Sequence, residues 1–94
     1  NNQQKFNNYH MEINRAEIAS LMYAMLSKLF DFDVPQNPVF NDVSASDPNF
    51  QAIQALGNAE IMLGYADGTF RGDRKMTRYE FVIIIANLLN QINN

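Results

Sequence analysis

The chain has 94 residues, a net charge of −3 and no cysteine. This length predicts a single domain, and the lack of a basic surplus argues against nucleic acid as a partner. Without cysteine there is no disulfide, thiolate metal site or cysteine nucleophile. The most apolar stretch, residues 81–89, is too short to insert across a membrane.

Both ends of the chain are polar. Residues 1–12 are rich in Asn and Gln and are predicted to be a linker or disordered end, and residues 93–94 are a short tail. The only histidine, His10, lies in this first segment. No metal site and no Ser-His-Asp set is therefore predicted around it.

The first helix is predicted over residues 15–30. Asn14 is a good N-cap, and Glu17 stands where it completes a capping box. Pro35 and Pro38 prevent the helix from continuing. The apolar residues at helical spacing are Ile18, Leu21, Met22, Met25, Leu26, Leu29 and Phe30.

The second helix is predicted over residues 48–60. Asp47 is the expected cap, and Pro48 suits the first helical position. Gly57 either weakens this helix or lets a neighbour approach it closely. The residues expected on its buried face are Phe50, Ile53 and Leu56.

Two long loops are expected to pack on the helices, at residues 31–46 and 61–76. In the second loop, residues 61–63 form a short apolar run that could be a strand. The stretch GYADGTF follows at residues 64–70. Its Asp-Gly pair predicts a tight turn, because Gly68 tolerates a positive φ without steric cost.

The third helix is predicted over residues 78–91. Thr77 is its cap, and Glu80 completes a second capping box. Val82 and Ile83 widen its apolar stripe, so this helix is expected to be the most buried. The stripe itself consists of Phe81, Ile84, Ile85, Leu88, Leu89 and Ile92.

A short pattern occurs twice, as INRAEI at residues 13–18 and as MTRYEF at residues 76–81, 63 positions apart. The capping boxes account for its Glu but not for its Arg. A cation in the first helical turn opposes the helix dipole. Arg15 and Arg78 are therefore predicted to have another role, such as holding an anion beside the free N–H groups of the helix start.

These motifs resemble those of the S-layer homology (SLH) domain family. The resemblance rests on FNDV at residues 40–43, GYADGTF at 64–70 and MTRYE at 76–80, with INRAE at 13–17 as a second copy of the last motif. It implies an SLH-like domain over residues 13–92. Within it, residues 13–33 resemble the closing helix of a preceding repeat, and residues 34–92 resemble one full repeat.

The resemblance implies an all-α fold, a compact three-helix domain with long ordered loops. It also implies a non-catalytic module, without a cofactor, that anchors a protein to the cell envelope. The implied ligand is an anionic cell-wall carbohydrate, either a secondary wall polymer or peptidoglycan. The implied location is extracellular, at the cell surface or envelope of a bacterium or archaeon. The alternative is a protein–protein or self-association module that uses exposed parts of the first and third helical stripes. The resemblance also implies neighbouring SLH repeats as possible partners.

The same resemblance suggests where the ligand would bind. The planar fork of an arginine can bind a carboxylate through two hydrogen bonds. An exposed arginine at a helix start can equally pair with a nearby Glu or with a turn carbonyl. Asp67 and its neighbours either form only the turn or also bond sugar hydroxyls, with Tyr65 or Phe70 stacking on a ring. The predicted ligand-binding residues are Arg15, Tyr65, Asp67, Gly68, Thr69, Phe70 and Arg78.

Overall fold

The computed structural model describes residues 10–93. Within this range the chain forms three helices and one two-stranded antiparallel sheet. The fold is therefore mixed, and the prediction of an all-α domain is correct only for its three helices. The elements are β1 (His10–Asn14), α1 (Arg15–Leu26), α2 (Phe50–Asn58), β2 (Lys75–Thr77) and α3 (Arg78–Ile92).

The sheet joins the two copies of the repeated motif. Each strand runs directly into a helix, and the cap residues Asn14 and Thr77 have extended backbones. Because the strands are antiparallel, α1 and α3 leave the sheet from opposite ends. Met11 and Met76 are buried in the core and hold the strands against it. This burial corrects the prediction that residues 10–12 belong to a linker; residues 1–9 lie outside the described range.

The most buried helix is α2, not α3. All residues from Ala52 to Leu56 are buried, because α1 packs on α2 and both long loops add side chains to the same core. In α3 only Ile84 is buried, among the residues that the structure describes. The apolar stripe of α3 is wider than the core surface available to it, so much of the stripe faces outward.

Both long loops pack on the helices, as predicted. Phe40 and Val43 from the first loop and Met62 and Phe70 from the second are buried in the core. Gly57 of α2 permits a close approach, since an added Cβ would lie 2.7 Å from Cε2 of Phe40. Of the two predicted roles for this glycine, close approach is therefore correct.

Several helix boundaries differ from the prediction, and α2 ends at Asn58 rather than at residue 60. Helix α1 ends at Leu26 rather than residue 30, and its stripe residue Leu29 is exposed. Helix α2 begins at Phe50, and its cap position, Asn49, makes no side-chain capping bond. Asp47 instead accepts a hydrogen bond from the Asn49 amide, so it stabilises the turn before the helix.

Residues 61–63 do not form a strand. Glu60 has a φ of 60°, and the amides of Glu60 and Ile61 donate to the carbonyls of Gly57 and Leu56. This is the Schellman arrangement that commonly ends a helix. Ile61 and Met62 therefore follow the end of α2 and turn into the core, rather than pairing with a strand. Helix α3 is one residue longer than predicted.

Candidate functional site

The stretch at residues 64–70 is a tight turn, as predicted. The Tyr65 amide donates to the Thr69 carbonyl, the Gly68 amide donates to the Tyr65 carbonyl, and Gly68 has a φ of 84°. Oδ1 of Asp67 accepts hydrogen bonds from the Thr69 hydroxyl at 2.6 Å and from the Thr69 amide at 3.1 Å. These bonds, with a smaller contribution from Arg71, lower the pKa of the Asp67 carboxyl. The Asp67 carboxylate therefore stabilises the turn in which it lies.

The FNDV motif fastens this turn to the rest of the domain. The Asp42 carboxylate accepts hydrogen bonds from the amides of Phe70 and Arg71 at 2.8 and 2.9 Å. The Asn41 side chain donates to the Asp67 carbonyl, and the Asn41 amide donates to the Gly68 carbonyl. Two of the motifs that were recognised separately in the sequence are thus one hydrogen-bonded unit.

Arg15 links α1 to this turn and to the start of α3. Its Nε donates to the Phe70 carbonyl at 2.8 Å and its Nη2 to the Leu63 carbonyl at 2.8 Å. Its Nη1 donates to the Glu80 carboxylate at 3.0 Å. The residue is only 4% exposed. Its guanidinium also lies 4.6 Å from the centre of the Phe70 ring.

The first backbone amides of α1 are occupied as well. The Arg15 amide donates to the Arg74 carbonyl and the Ala16 amide to the Gly72 carbonyl, each at 3.0 Å. A helix start with free N–H groups would suit an anion, but here protein carbonyls take that place. The predicted grip of Arg15 on a ligand carboxylate does not fit this burial, and its observed anionic partner is Glu80.

Glu80 connects the two helix starts. Its Oε1 accepts from the Thr77 amide, its own amide donates to the Thr77 hydroxyl, and Oε2 accepts from Arg15. Partial burial opposes the charge of Glu80. The hydrogen bonds with Thr77 and the positive charges of Arg15 and Arg74 outweigh this effect, so the pKa of the Glu80 carboxyl is lowered. Glu80 is therefore ionised, and it connects Arg15 of α1 to the cap of α3.

The two aromatic residues of the turn differ in accessibility. Phe70 is completely buried and packs on Phe40, so its predicted stacking on a sugar ring does not fit the structure. Tyr65 is half-buried, and the Arg71 guanidinium lies 4.0 Å from its ring centre. Its hydroxyl accepts a hydrogen bond from Arg74 at 3.0 Å. Tyr65 is thus surrounded by arginines rather than open to a flat ligand.

Arg78, the counterpart of Arg15, is exposed at the first position of α3. Within residues 10–93 it forms no side-chain hydrogen bond or ion pair with another residue. The structure therefore separates the two arginines that the sequence treated alike. Thr69 and Gly68 lie in the turn with Asp67, while Arg78 lies outside this cluster.

A groove of about 200 Å³ lies between the turn and α3. Tyr65 and the edge of Arg15 form one side, and Tyr79, Glu80 and Asn87 form the other. A larger cavity of about 310 Å³ lies between residues 30–33 and the C-terminal ends of α2 and α3, and none of the predicted site residues lines it. We therefore take the groove beside the turn as the candidate site.

The sequence analysis missed Arg74, Tyr79 and Asn87. Arg74 contacts two groove residues, by its hydrogen bond to Tyr65 and by a 4.0 Å approach to Glu80. In the sequence it lies in the second long loop, for which only packing on the helices was predicted. Tyr79 and Asn87 lie one and nine positions after Arg78, and no local pattern shows that they face the turn.

Neither a metal-binding cluster nor a membrane-crossing helix occurs in the described part of the chain. No cluster of three or more His, Asp or Glu side chains within it could hold a metal ion. None of its helices has both the length and the apolar character that a membrane crossing requires.

Comparison with known proteins identifies the family. Residues 39–82 match the model of the S-layer homology domain. The chain is similar to outer membrane protein SlpA of Deinococcus radiodurans, with 48% identity over 60 residues, and to outer membrane protein SlpA of Thermus thermophilus, with 45% identity over 53 residues. These alignments cover 64% and 56% of this chain but only 5% and 6% of the two relatives.

A longer alignment joins this chain to outer membrane protein alpha of Thermotoga maritima, with 36% identity over 72 residues. It covers 77% of this chain and 17% of that protein. No solved structure matches the chain. The motifs at residues 40–43, 64–70 and 76–80 lie within the family match, and the chain accordingly contains an S-layer homology domain and belongs to that family.

Proposed function

We propose that this domain anchors a protein to the cell envelope by binding an anionic cell-wall carbohydrate, either a secondary wall polymer or peptidoglycan. The observation that carries the proposal is the SLH match over residues 39–82, because SLH domains are structural surface-anchoring modules. The names of the SlpA relatives support a location at the cell surface or envelope. We also propose the division into a closing helix, residues 13–33, and a full repeat, residues 34–92.

The groove between the turn and α3 is the proposed saccharide site. Tyr79 is 75% exposed and offers an aromatic face, and Asn87 offers an amide beside it. Sugar sites are typically built from one such face and a few polar groups. The exposed guanidinium of Arg74 at the groove edge provides the charge that a ligand carboxylate needs.

The residues predicted from sequence have a supporting part in this proposal. Arg15 holds the turn in place, and Asp67, Gly68 and Thr69 give the turn its shape. Tyr65 forms the groove wall together with the arginines around it. The direct contacts are assigned to Arg74 and Tyr79, because their side chains are accessible and those of Arg15 and Phe70 are not.

Binding to purified sacculi, before and after removal of wall polymers, tests the proposal. Arg74→Ala should weaken binding by about tenfold or more, since a charge-assisted hydrogen bond is lost. Lys75→Ala is the matched control, because it removes the same charge from the next residue, whose side chain makes neither of the contacts by which Arg74 reaches the groove residues Tyr65 and Glu80. Equal binding by both variants would contradict the proposed ligand site. Binding that is lost on polymer removal would identify a secondary wall polymer as the ligand, and binding that survives it would identify peptidoglycan.

Self-association is the second candidate function. Several large apolar side chains are exposed on α1 and α3, among them Leu21, Met25, Val82 and Leu89. Exposed apolar surface of this kind marks interaction sites. Sedimentation equilibrium over a range of protein concentrations tests this candidate directly, because a self-associating chain shows a concentration-dependent mass.

A further inference from the structure

The larger cavity, of about 310 Å³, lies where α2 and α3 end, and it shares no lining residue with the proposed saccharide groove. One wall is formed by residues 30–33, which follow α1 in the chain. The interior is largely apolar, with Phe32, Ile61 and Leu88 among its lining side chains. The cavity is therefore a separate feature that the proposed function leaves unused.

The charged side chains that line this cavity are both acidic. They are Asp31 and Asp33, and both residues are exposed. Within residues 10–93 neither carboxylate forms a salt bridge or accepts a hydrogen bond from another residue. Lys28, the nearest cation along the chain, is exposed and does not line the cavity. The negative charge at this wall is therefore not balanced by a neighbouring side chain.

Two helix ends add to the negative potential. Asn58 is the last residue of α2, and Gln91 and Ile92 are the last two residues of α3; all three line the cavity. The free carbonyls at a helix C-terminus carry partial negative charge, so a cation is stabilised there. Neither helix has a basic residue in its last turn. The surroundings of the cavity therefore favour a cation that this part of the chain does not supply.

The apolar interior selects the kind of cation. Lys and Arg side chains bury their alkyl stems against apolar surface and keep the charged end near water and carboxylates. The volume lies near the lower limit of ligand sites, about 300 Å³, which suits one or two side chains. Phe30 and Ile92, at the walls, are still 39% and 50% exposed. A peptide segment would cover this apolar surface, whereas a small free amine would leave most of it in water.

We propose that this cavity is a docking site for a partner protein, through a segment that presents a Lys or Arg side chain next to an apolar one. The carboxylates of Asp31 and Asp33 would hold the cation, and Leu88 and Ile92 would contact its stem. The same carboxylates repel an anionic carbohydrate. The cavity and the groove, which has Arg74 at its edge, thus favour ligands of opposite charge.

Titration of the isotope-labelled chain with a short peptide, followed by its amide resonances, tests the proposal. The probe is acetyl-Ala-Leu-Lys-Leu-Ala-amide. Its control carries norleucine in place of lysine, which keeps the alkyl stem but lacks the ammonium group. We expect the lysine peptide to produce saturable shifts at Asp31, Ala59 and Ile92. The norleucine peptide should bind more weakly by about tenfold or more.

Substitutions in the chain test the same contacts from the other side. The double variant Asp31→Asn, Asp33→Asn removes both charges with little change of shape, and should weaken peptide binding by about tenfold or more. Asp73→Asn is the matched control, because Asp73 is exposed and lies outside the cavity lining. It should leave peptide binding unchanged. Ile92→Ala should weaken it by about threefold or more, since part of the apolar contact is lost.

Binding to sacculi separates this proposal from the saccharide groove. The double variant should bind sacculi as the wild type does, whatever the outcome for Arg74→Ala. If the double variant loses both peptide and sacculi, the cavity belongs to the wall-binding site and the inference is wrong.

Three further outcomes would overturn it. The first is equal binding of the lysine and norleucine peptides, or peptide binding that the double variant retains. The second is a set of the same shifts produced by a trimer of N-acetylglucosamine, because the cavity would then be a sugar site. The third is shifts at the cavity that appear without peptide as the protein concentration rises, because a second copy of the chain would then occupy it.

Discussion

The starts of α1 and α3 share a cap, a capping box and an arginine, yet the two arginines have opposite environments. Arg15 is buried and donates three side-chain hydrogen bonds, whereas Arg78 is exposed. The local motif therefore determines where each helix begins, while the neighbouring chain determines what the arginine does. Five pairs of substitutions test this comparison.

The largest difference is expected between Arg15→Ala and Arg78→Ala. Loss of Arg15 leaves the Leu63 and Phe70 carbonyls and the Glu80 carboxylate without their partner, which should lower the free energy of unfolding by about 3–5 kcal/mol. Loss of the exposed Arg78 should change it by no more than about 0.5 kcal/mol. Urea denaturation measures both values. Similar losses would show that the two helix starts are equivalent after all.

Truncation of apolar side chains should show that α1 and α3 bury different positions of their shared motif. Ile84→Ala and Met22→Ala remove buried side chains and should each cost about 2–4 kcal/mol. Their counterparts 63 positions away, Leu21→Ala and Ile85→Ala, alter exposed side chains and should cost less than about 1 kcal/mol. Urea midpoints of the four variants measure this pattern, and equal losses within either pair would contradict it.

The two capping glutamates give a smaller contrast. Glu80→Gln weakens both a cap and the contact with Arg15, and should cost about 1–2 kcal/mol. Glu17→Gln weakens only an exposed cap and should cost about 0.5 kcal/mol or less. The comparison is made by urea denaturation at neutral pH.

The contribution of Glu80 to the free energy of unfolding should also depend on pH. Its pKa is lower in the folded protein than in the unfolded chain, so its charge stabilises the fold above the ordinary glutamate pKa. This stabilisation is lost as the pH falls through the lowered value. The difference between wild type and Glu80→Gln should therefore shrink in acid, and a difference that grows in acid would contradict the assignment.

The cap residues should show the smallest contrast. Asn14 and Thr77 each accept a hydrogen bond from the backbone of the glutamate three residues later. Asn14→Ala and Thr77→Ala should each lower the free energy of unfolding by about 1 kcal/mol, and by similar amounts. Denaturant midpoints equal to that of the wild type would mean that these caps do not stabilise the fold.

Local chemistry made part of this structure predictable. Asn14 and Thr77 define two helix starts because their side chains cap backbone amides within one turn. Gly68 identifies a turn because a glycine, which lacks a Cβ, adopts the positive φ of this position without steric cost. The family was recognisable because these short motifs occur in a fixed order. Each of these signals acts over only a few residues.

The remaining features depend on long-range contacts. The strands were missed because β1 and β2 are short and mostly polar. They are held on the core by the buried side chains of Met11 and Met76, and Ile13 packs against the same core. The apolar run of α3 suggested burial, but the core covers only one of its faces. For Arg15, pairing with a Glu or a turn carbonyl was one of two alternatives left open by the sequence, and its burial was not predicted, because the carbonyls that it binds belong to the distant residues 63 and 70.

The partners of Arg15 also have a consequence for the order of folding. They lie 48, 55 and 65 positions further along the chain. Contacts over such distances form late, because the loops between them must close first. A helix of twelve residues is marginal by itself in water. During synthesis from the N-terminus, α1 is therefore made long before the partners of Arg15. Its stable docking requires that the turn and the start of α3 have also been synthesised.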